Sequence, residues 1–147
     1  MPDPALIFYD RECRFCVWGV VGLARRARPG TLRLAAIQGP LGDEHLGHLD
    51  EETRLATWHL WDGERLYSGA DVLDALGRYL DPAGMRAAVA LGRAVPRPLT
   101  AFAYRQMAGH RVLISHRIPE SLKQRSADAL PRYAADTGAP GSGVRDA

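Results

Sequence analysis

The sequence predicts an α/β domain with a mixed four-stranded sheet and flanking helices. Three features of the chain predict this class: a strand, a helix and a strand near its start, a hairpin signal near its middle, and helical segments towards its end. Hydrophobic residues make up 46% and charged residues 24% of the 147 residues, as is usual for globular domains. A chain of this length buries enough surface to fold without a disulfide or a metal.

The start of the chain predicts a strand–helix–strand unit. Residues 5–9 are apolar between polar flanks, which is typical of a central strand covered on both faces. A helix is predicted from Phe15, and Pro29-Gly30 ends it after a run of arginines, whose charge favours the end of a helix. Residues 32–35 predict a second strand, parallel to the first because crossover connections of this size join parallel strands.

The middle of the chain predicts a loop, a hairpin and a helix. Residues 38–52 are acidic and rich in turn formers, and we expect a loop with room for one short helix. Alternation over residues 56–61, then an Asp-Gly step, predicts a hairpin with a two-residue turn and a second strand over 64–67. Ser68 with Asp71 resembles a capping box. The apolar face of the helix that follows consists of Val72, Leu73, Leu76 and Leu80.

The last third of the chain predicts helices and a tail. Helical composition over 85–93 and 99–107 is interrupted by prolines. From residue 134 onward the chain lacks large apolar side chains. Their burial would be needed to offset the conformational entropy that is lost when a segment becomes ordered. We therefore expect one domain over 1–133, with C-terminal helices, and a disordered tail over 134–147.

The start of the chain, its apolar runs and its charge distribution argue against several classes of partner and location. No basic region precedes a long apolar stretch at the start, so no secretory signal is predicted. The longest apolar helical run, 17–24, is shorter than the roughly 20 residues that span a bilayer. Residues 82–127 carry eight basic side chains against one acidic, but they are spread out rather than clustered as in nucleic-acid sites. We predict a cytoplasmic protein with neither a membrane nor a nucleic acid as partner.

The only two cysteines, Cys13 and Cys16, form one Cys-x-x-Cys at the first strand-to-helix junction. A thiol attacks as the thiolate, which the N-terminus of a helix and nearby cations stabilise. Arg11 and Arg14 add positive charge, and Asp10 and Glu12 oppose it. Cys16 follows one helical turn later and can close a disulfide with Cys13. The pattern predicts that Cys13 attacks a substrate disulfide and that Cys16 resolves the mixed disulfide; the reverse direction of exchange is equally allowed.

The neighbours of the two cysteines are the other candidate site residues. Asp10 has two compatible interpretations, as a proton acceptor for Cys16 during exchange and as a cap of the first helix. Phe15, Arg14 and Arg11 are candidates for binding the substrate. No cofactor is predicted; the expected partners are a disulfide-containing protein or small thiol and an unidentified electron donor.

A zinc site is the alternative interpretation of the same motif. A Cys-x-x-Cys also begins zinc sites, and His45 and His48 supply a His-x-x-His. The gap between the two pairs is longer than in ordinary zinc fingers, and the histidines lie among acidic residues. The second hypothesis is therefore a zinc-bound or redox-silent interaction module that uses the basic C-terminal half to hold a partner.

The stretch FYDRECRFC resembles the DCC family of thiol-disulfide oxidoreductases, which is also catalogued as a domain of unknown function and is named for its Asp-Cys-Cys set. The resemblance continues in LWDGERLYSGADVLDALGRYL and VPRPLTAFAYRQMAGHR and covers about residues 6–111. It implies a thioredoxin-like sandwich and a disulfide reductase activity of the protein-disulfide reductase type. Two departures stand out: Arg11 replaces the glycine usual in the family, and no proline between Leu41 and Asp81 matches the cis-proline of thioredoxins.

Overall fold

The protein forms a four-stranded mixed sheet in the order β2-β1-β3-β4. The computed structural model describes residues 3–82 and 115–135 and isolated positions between 86 and 110. Strand β1 (Ala5–Tyr9) is parallel to β2 (Leu32–Ala36), whereas β3 (His59–Trp61) is antiparallel to β1 and to β4 (Leu66–Ser68). This arrangement confirms the predicted α/β class and is consistent with a thioredoxin-like fold.

Helices cover both faces of this sheet, so two apolar clusters form. In the described part of the chain the α-helices are α1 (Arg14–Arg26), α2 (Pro40–Leu46), α3 (Glu51–Ala56), α4 (Ala70–Leu76) and α5 (Glu120–Ala129). On one face, Ile7 and Leu34 pack in the cluster to which α1, α4 and α5 contribute. On the other face, Phe8 and Ala35 pack with Leu46 of α2. Because its residues alternate between two buried clusters, β1 is apolar throughout, as expected for a central strand.

The stretch predicted as a loop with room for one short helix contains that helix, α2, and also the start of a second helix, α3, which was not predicted. Pro40 opens α2, where a missing N–H is tolerated. The carboxylate of Asp50 caps α3 by accepting from the Thr53 N–H at 2.8 Å. Ala56, expected in a strand, is the last residue of α3, so β3 begins only at His59. Both helices are too short to show a helical period in the sequence.

The hairpin is present, but its turn is longer than the predicted two residues. Trp61 pairs with Leu66, so residues 62–65 form the connection. Asp62 Oδ1 accepts from the backbone N–H groups of Glu64 at 3.0 Å and Arg65 at 2.7 Å. A side chain that satisfies two turn N–H groups stabilises the longer connection.

The capping box predicted for α4 is not formed. The N-cap is Gly69, with φ +63°, and it makes no side-chain cap bond. Ser68 instead lies with its Oγ 2.7 Å from Nδ1 of His59 on the neighbouring strand. Helix α4 also ends earlier than expected, at Leu76, and the chain then turns so that Leu80 bridges Ala27.

Helix α5 was not predicted, because its buried positions are Lys123, Ser126 and Ala129, which lack the apolar character of a typical core face. The helices predicted over 85–93 and 99–107 lie largely outside the described residues. Ala134 is buried and bridges Leu34, with the Ala135 N–H donating to the Leu34 carbonyl at 2.7 Å. Order therefore extends at least two residues past the predicted start of the tail, and the rest of that tail lies outside the described residues.

The buried His59 predicts a loss of stability in acid. Its side chain is 0% exposed, with Nε2 3.1 Å from the Arg54 carbonyl. Burial lowers the pKa of His59 below the usual 6.5, against the opposing hydrogen bond to Arg54. Below about pH 6.5 the unfolded chain binds a proton at this histidine, whereas the folded chain leaves it neutral. The free energy of unfolding should therefore decrease as the pH is lowered from about 6.5, by up to about 1.4 kcal/mol per pH unit.

Urea unfolding across this pH range measures the effect. His59→Gln should lose this part of the slope, whereas His116→Gln, at an exposed histidine, should keep it. An unchanged slope in His59→Gln would show that another group causes the acid sensitivity.

Candidate active site around Cys13 and Cys16

Cys13 is the N-cap of α1. Its backbone is extended, with φ −90° and ψ 102°, and its Sγ accepts the Cys16 N–H at 3.3 Å. The Cys13 carbonyl accepts the Val17 N–H at 3.0 Å as the first bond of the helix. The sulfur therefore faces the N–H groups at the positive end of the helix dipole, which is an environment that stabilises a thiolate.

The two cysteines differ in access. Cys13 is half-buried, whereas Cys16 lies on the buried face of α1 and is 5% exposed. The spacing of one turn brings the backbone N–H of Cys16 within 3.3 Å of the Cys13 sulfur. Cys13 is therefore the more accessible of the two cysteines from solvent.

Asp10 shapes the turn before the helix instead of capping it. Its Oδ1 accepts from the Glu12 N–H at 3.0 Å, and its backbone carbonyl accepts from the Cys13 N–H at 3.2 Å. Gln38 Nε2 donates to the same Oδ1 at 2.7 Å. The prediction that Asp10 caps α1 is wrong, since the sulfur of Cys13 occupies the capping position.

A cleft of about 430 Å³ lies beside Cys13. One wall is the Cys-x-x-Cys turn with Asp10, Glu12, Arg14 and Phe15. The facing wall comes from the C-terminal part of the chain and consists of Ser115, His116, Glu120 and Lys123. The cleft thus joins the predicted motif to residues about 100 positions later in the chain.

A charged cluster joins the two walls. Arg14 contacts Glu120 at 2.8 Å, and Lys123 contacts the same carboxylate at 2.9 Å. The hydrogen bond from Lys123 lowers the pKa of Glu120, against the opposing effect of burial and with help from the charge of Arg14. Lys123 also donates to the Ser115 carbonyl at 3.2 Å. Part of the positive charge predicted near Cys13, that of Arg14, is therefore paired with the Glu120 carboxylate of α5.

The remaining predicted residues fall in different places. Phe15 is half-buried, lines the cleft and stacks on Trp18 with ring centroids 6.0 Å apart. The side chain of Arg11 is exposed and does not line this cleft, while its backbone N–H donates to Gln38 Oε1 at 3.2 Å.

Gln38 was missed in the sequence, although a signal for it existed. It lies just beyond β2, and the carboxyl ends of parallel strands meet at one edge of a sheet. The residues of the facing wall, by contrast, have no such local signal.

The four residues of the zinc hypothesis do not form a metal site. His45 packs between aromatic rings, 5.7 Å from Phe8 and 5.1 Å from Trp61, and His48 is exposed. Cys13 and Cys16 lie at the start of α1. Among the described residues, no three His, Cys, Asp or Glu side chains are grouped so that they could hold a metal ion.

The comparisons with known proteins identify one matching family. The family model described as DCC1-like thiol-disulfide oxidoreductase matches residues 7–117, which is well over half of the chain and includes both cysteines. No curated protein and no solved structure gives a significant match. Within the described part of the chain, none of the helices is long and apolar enough to span a bilayer. The chain belongs to the DCC1-like thiol-disulfide oxidoreductase family.

Proposed function

We propose that this protein reduces disulfides through its own dithiol, with Cys13 as the attacking residue and Cys16 as the resolving residue. One observation carries the proposal: the half-buried Cys13 sulfur caps α1 and accepts the Cys16 N–H at 3.3 Å beside a cleft. A sulfur in this position is favoured as the thiolate and can be reached by a second disulfide. The membership of the oxidoreductase family supports the same chemistry.

The exchange takes place in two balanced steps. The Cys13 thiolate attacks one sulfur of a substrate disulfide, so that a Cys13–substrate bond forms and the other substrate sulfur leaves as a thiolate and takes a proton. Cys16 then loses its proton and attacks Cys13 Sγ, which releases the second substrate thiol and leaves a Cys13–Cys16 disulfide. Two electrons have passed from the protein to the substrate, and an external thiol reductant restores the dithiol.

Asp10 is the proposed acceptor of the Cys16 proton. Both described side-chain hydrogen bonds to this carboxylate reach Oδ1, so Oδ2 is left to take a proton. Phe15 and Arg14 line the cleft and are proposed to contact the substrate, while Arg11 contributes charge at the turn.

The substrate of this proposal is a protein disulfide or a small disulfide that fits beside Cys13. The reaction is assigned to the cytoplasm, because a reducing compartment maintains a lone dithiol. The basic residues of the C-terminal half have no assigned role in it.

A redox titration tests the proposal. The protein is equilibrated with glutathione buffers of different potential, and the thiols that remain are alkylated and counted by mass. We expect both thiols to disappear together at one potential within the biological range, because the product is an intramolecular disulfide. Thiols that stay reactive across the whole range, or that disappear one at a time as stable glutathione adducts, would contradict the proposal.

A further inference from the structure

A glutamine outside the motif contacts the turn that presents Cys13. Gln38 follows β2, and the register pairs Tyr9 with Ala36 while the Ile37 N–H donates to the Tyr9 carbonyl at 2.9 Å. The parallel pairing of β1 and β2 thus continues to their carboxyl ends. It brings Gln38 beside Asp10, which lies 28 positions earlier in the chain.

The side-chain amide of Gln38 accepts one hydrogen bond and donates another. Its Oε1 accepts from the Arg11 backbone N–H at 3.2 Å, and its Nε2 donates to Asp10 Oδ1 at 2.7 Å. A primary amide supplies both an acceptor and a donor without a charge, whereas a glutamate lacks the donor and a methionine lacks both strong groups. The chemistry of this position therefore matches a glutamine.

The segment that carries Gln38 is itself held in place. The guanidinium of Arg54 donates to the Ile37 carbonyl at 2.9 Å, and the Gly39 N–H donates to the Ala36 carbonyl at 3.0 Å. The amide is thus presented from backbone that is anchored on both sides. This support by neighbours is what a positioning group requires.

The turn that Gln38 contacts leads directly to the reactive sulfur. Residues 10–13 are closed by two internal hydrogen bonds, both of which end on Asp10. Gln38 adds two bonds that tie Asp10 and Arg11 to the end of β2, and so restrict the direction from which Cys13 enters α1. A small displacement of a reacting group has large effects on rate.

We infer that Gln38 is a positioning residue of the disulfide exchange: by binding Asp10 and the Arg11 backbone it fixes the turn that presents the Cys13 sulfur. The inference rests on the proposed function for its catalytic meaning. Its effect on Cys13 can still be measured without any substrate, because alkylation reports the reactivity of that sulfur directly.

The test compares three variants. Gln38→Met has a similar size but loses both hydrogen bonds, and we expect about a tenfold lower rate of Cys13 alkylation near neutral pH and of insulin reduction. Gln38→Glu places a second carboxylate beside Asp10, and the alkylation midpoint of Cys13 should move to higher pH because negative charge opposes the thiolate. In Asp10→Asn with Gln38→Glu, the donor and acceptor are exchanged and the net charge is that of the wild type. The midpoint should return towards its wild-type position.

The measurement is the rate of iodoacetamide labelling against pH, read by mass at the Cys13 peptide, with folding checked by circular dichroism. Gln106→Met, at an exposed glutamine, makes the same chemical change and should leave the profile unchanged.

A wild-type profile in both Gln38→Met and Gln38→Glu would overturn the inference. The same holds if the double variant is no closer to the wild type than Gln38→Glu alone, which keeps the test valid even if Gln38→Met fails to fold. Insulin reduction that survives Cys13→Ser would instead refute the proposed function, whatever the variants of Gln38 do.

Discussion

Cys13→Ser should abolish the catalysed reduction of insulin disulfides by dithiothreitol and leave only the uncatalysed rate. A serine hydroxyl is far less acidic than a thiol and forms no disulfide, so neither the attack nor the mixed disulfide is possible. Serine is also a preferred N-cap residue, so it can accept the Cys16 N–H in place of the sulfur. We therefore expect helix α1 and the fold to remain intact, which thermal unfolding will check.

Cys16→Ser is the variant to compare with Cys13→Ser, because it makes the same substitution at the proposed resolving cysteine. With Cys13 present and the resolving thiol absent, the first step proceeds and the mixed disulfide accumulates. Intact-mass analysis under non-reducing conditions should show the substrate attached at Cys13. A Cys13→Ser protein that keeps its activity, or a Cys16→Ser protein that traps nothing, would show that the chemistry lies elsewhere.

The strand–helix–strand unit could be predicted because its signals are local. The apolar run of β1 and the Pro29-Gly30 stop after α1 are direct consequences of burial and backbone geometry, and both agree with the structure within a few residues. The hairpin was located for the same reason. The length of its turn was not predicted correctly. The hydrogen bonds of the Asp62 side chain, rather than the backbone preference of an Asp-Gly pair, determine this turn.

Helix α5 could not be predicted from the pattern of apolar residues along the chain. Its buried face includes Lys123, whose ammonium group is satisfied by Ser115 and by Glu120. A buried lysine of this kind is stable only because its partners come from the folded structure. A sequence pattern that expects apolar residues on the buried face will not detect such a helix.

The candidate site divides along the same line. Cys13, Cys16 and Asp10 lie within seven positions, and this local motif was enough to make them candidates for disulfide exchange. Gln38 reaches them through the pairing of β1 with β2, and Glu120 reaches them through the packing of α5 on α1. The parallel pairing of β1 and β2 was expected from the sequence and gave a signal for Gln38, whereas Glu120 is found only once the packing of α5 on α1 is known.

Gly42→Ala should lower the free energy of unfolding by about 3 kcal/mol, because the added methyl group has no space. A Cβ at this position would lie 2.1 Å from the Ile37 carbonyl oxygen and 2.7 Å from that of Ala36. Both contacts are with backbone, so helix α2 must move away from the end of β2, or that end must shift. Gln38 directly follows Ile37, so we also expect slower alkylation of Cys13 in this variant.

Gly22→Ala provides the matched control in helix α1. Apart from its chain neighbours and the backbone of its own helix, no heavy atom of the described residues lies within 4 Å of a Cβ built on Gly22, so the methyl group meets open space there. Alanine is the better helix former, and this variant should be more stable than the wild type by roughly 0.5 to 1 kcal/mol. Urea unfolding of both variants measures the difference, provided that the denaturant slope stays the same. Equal shifts in the two variants would mean that the contact between α2 and the end of β2 is not close.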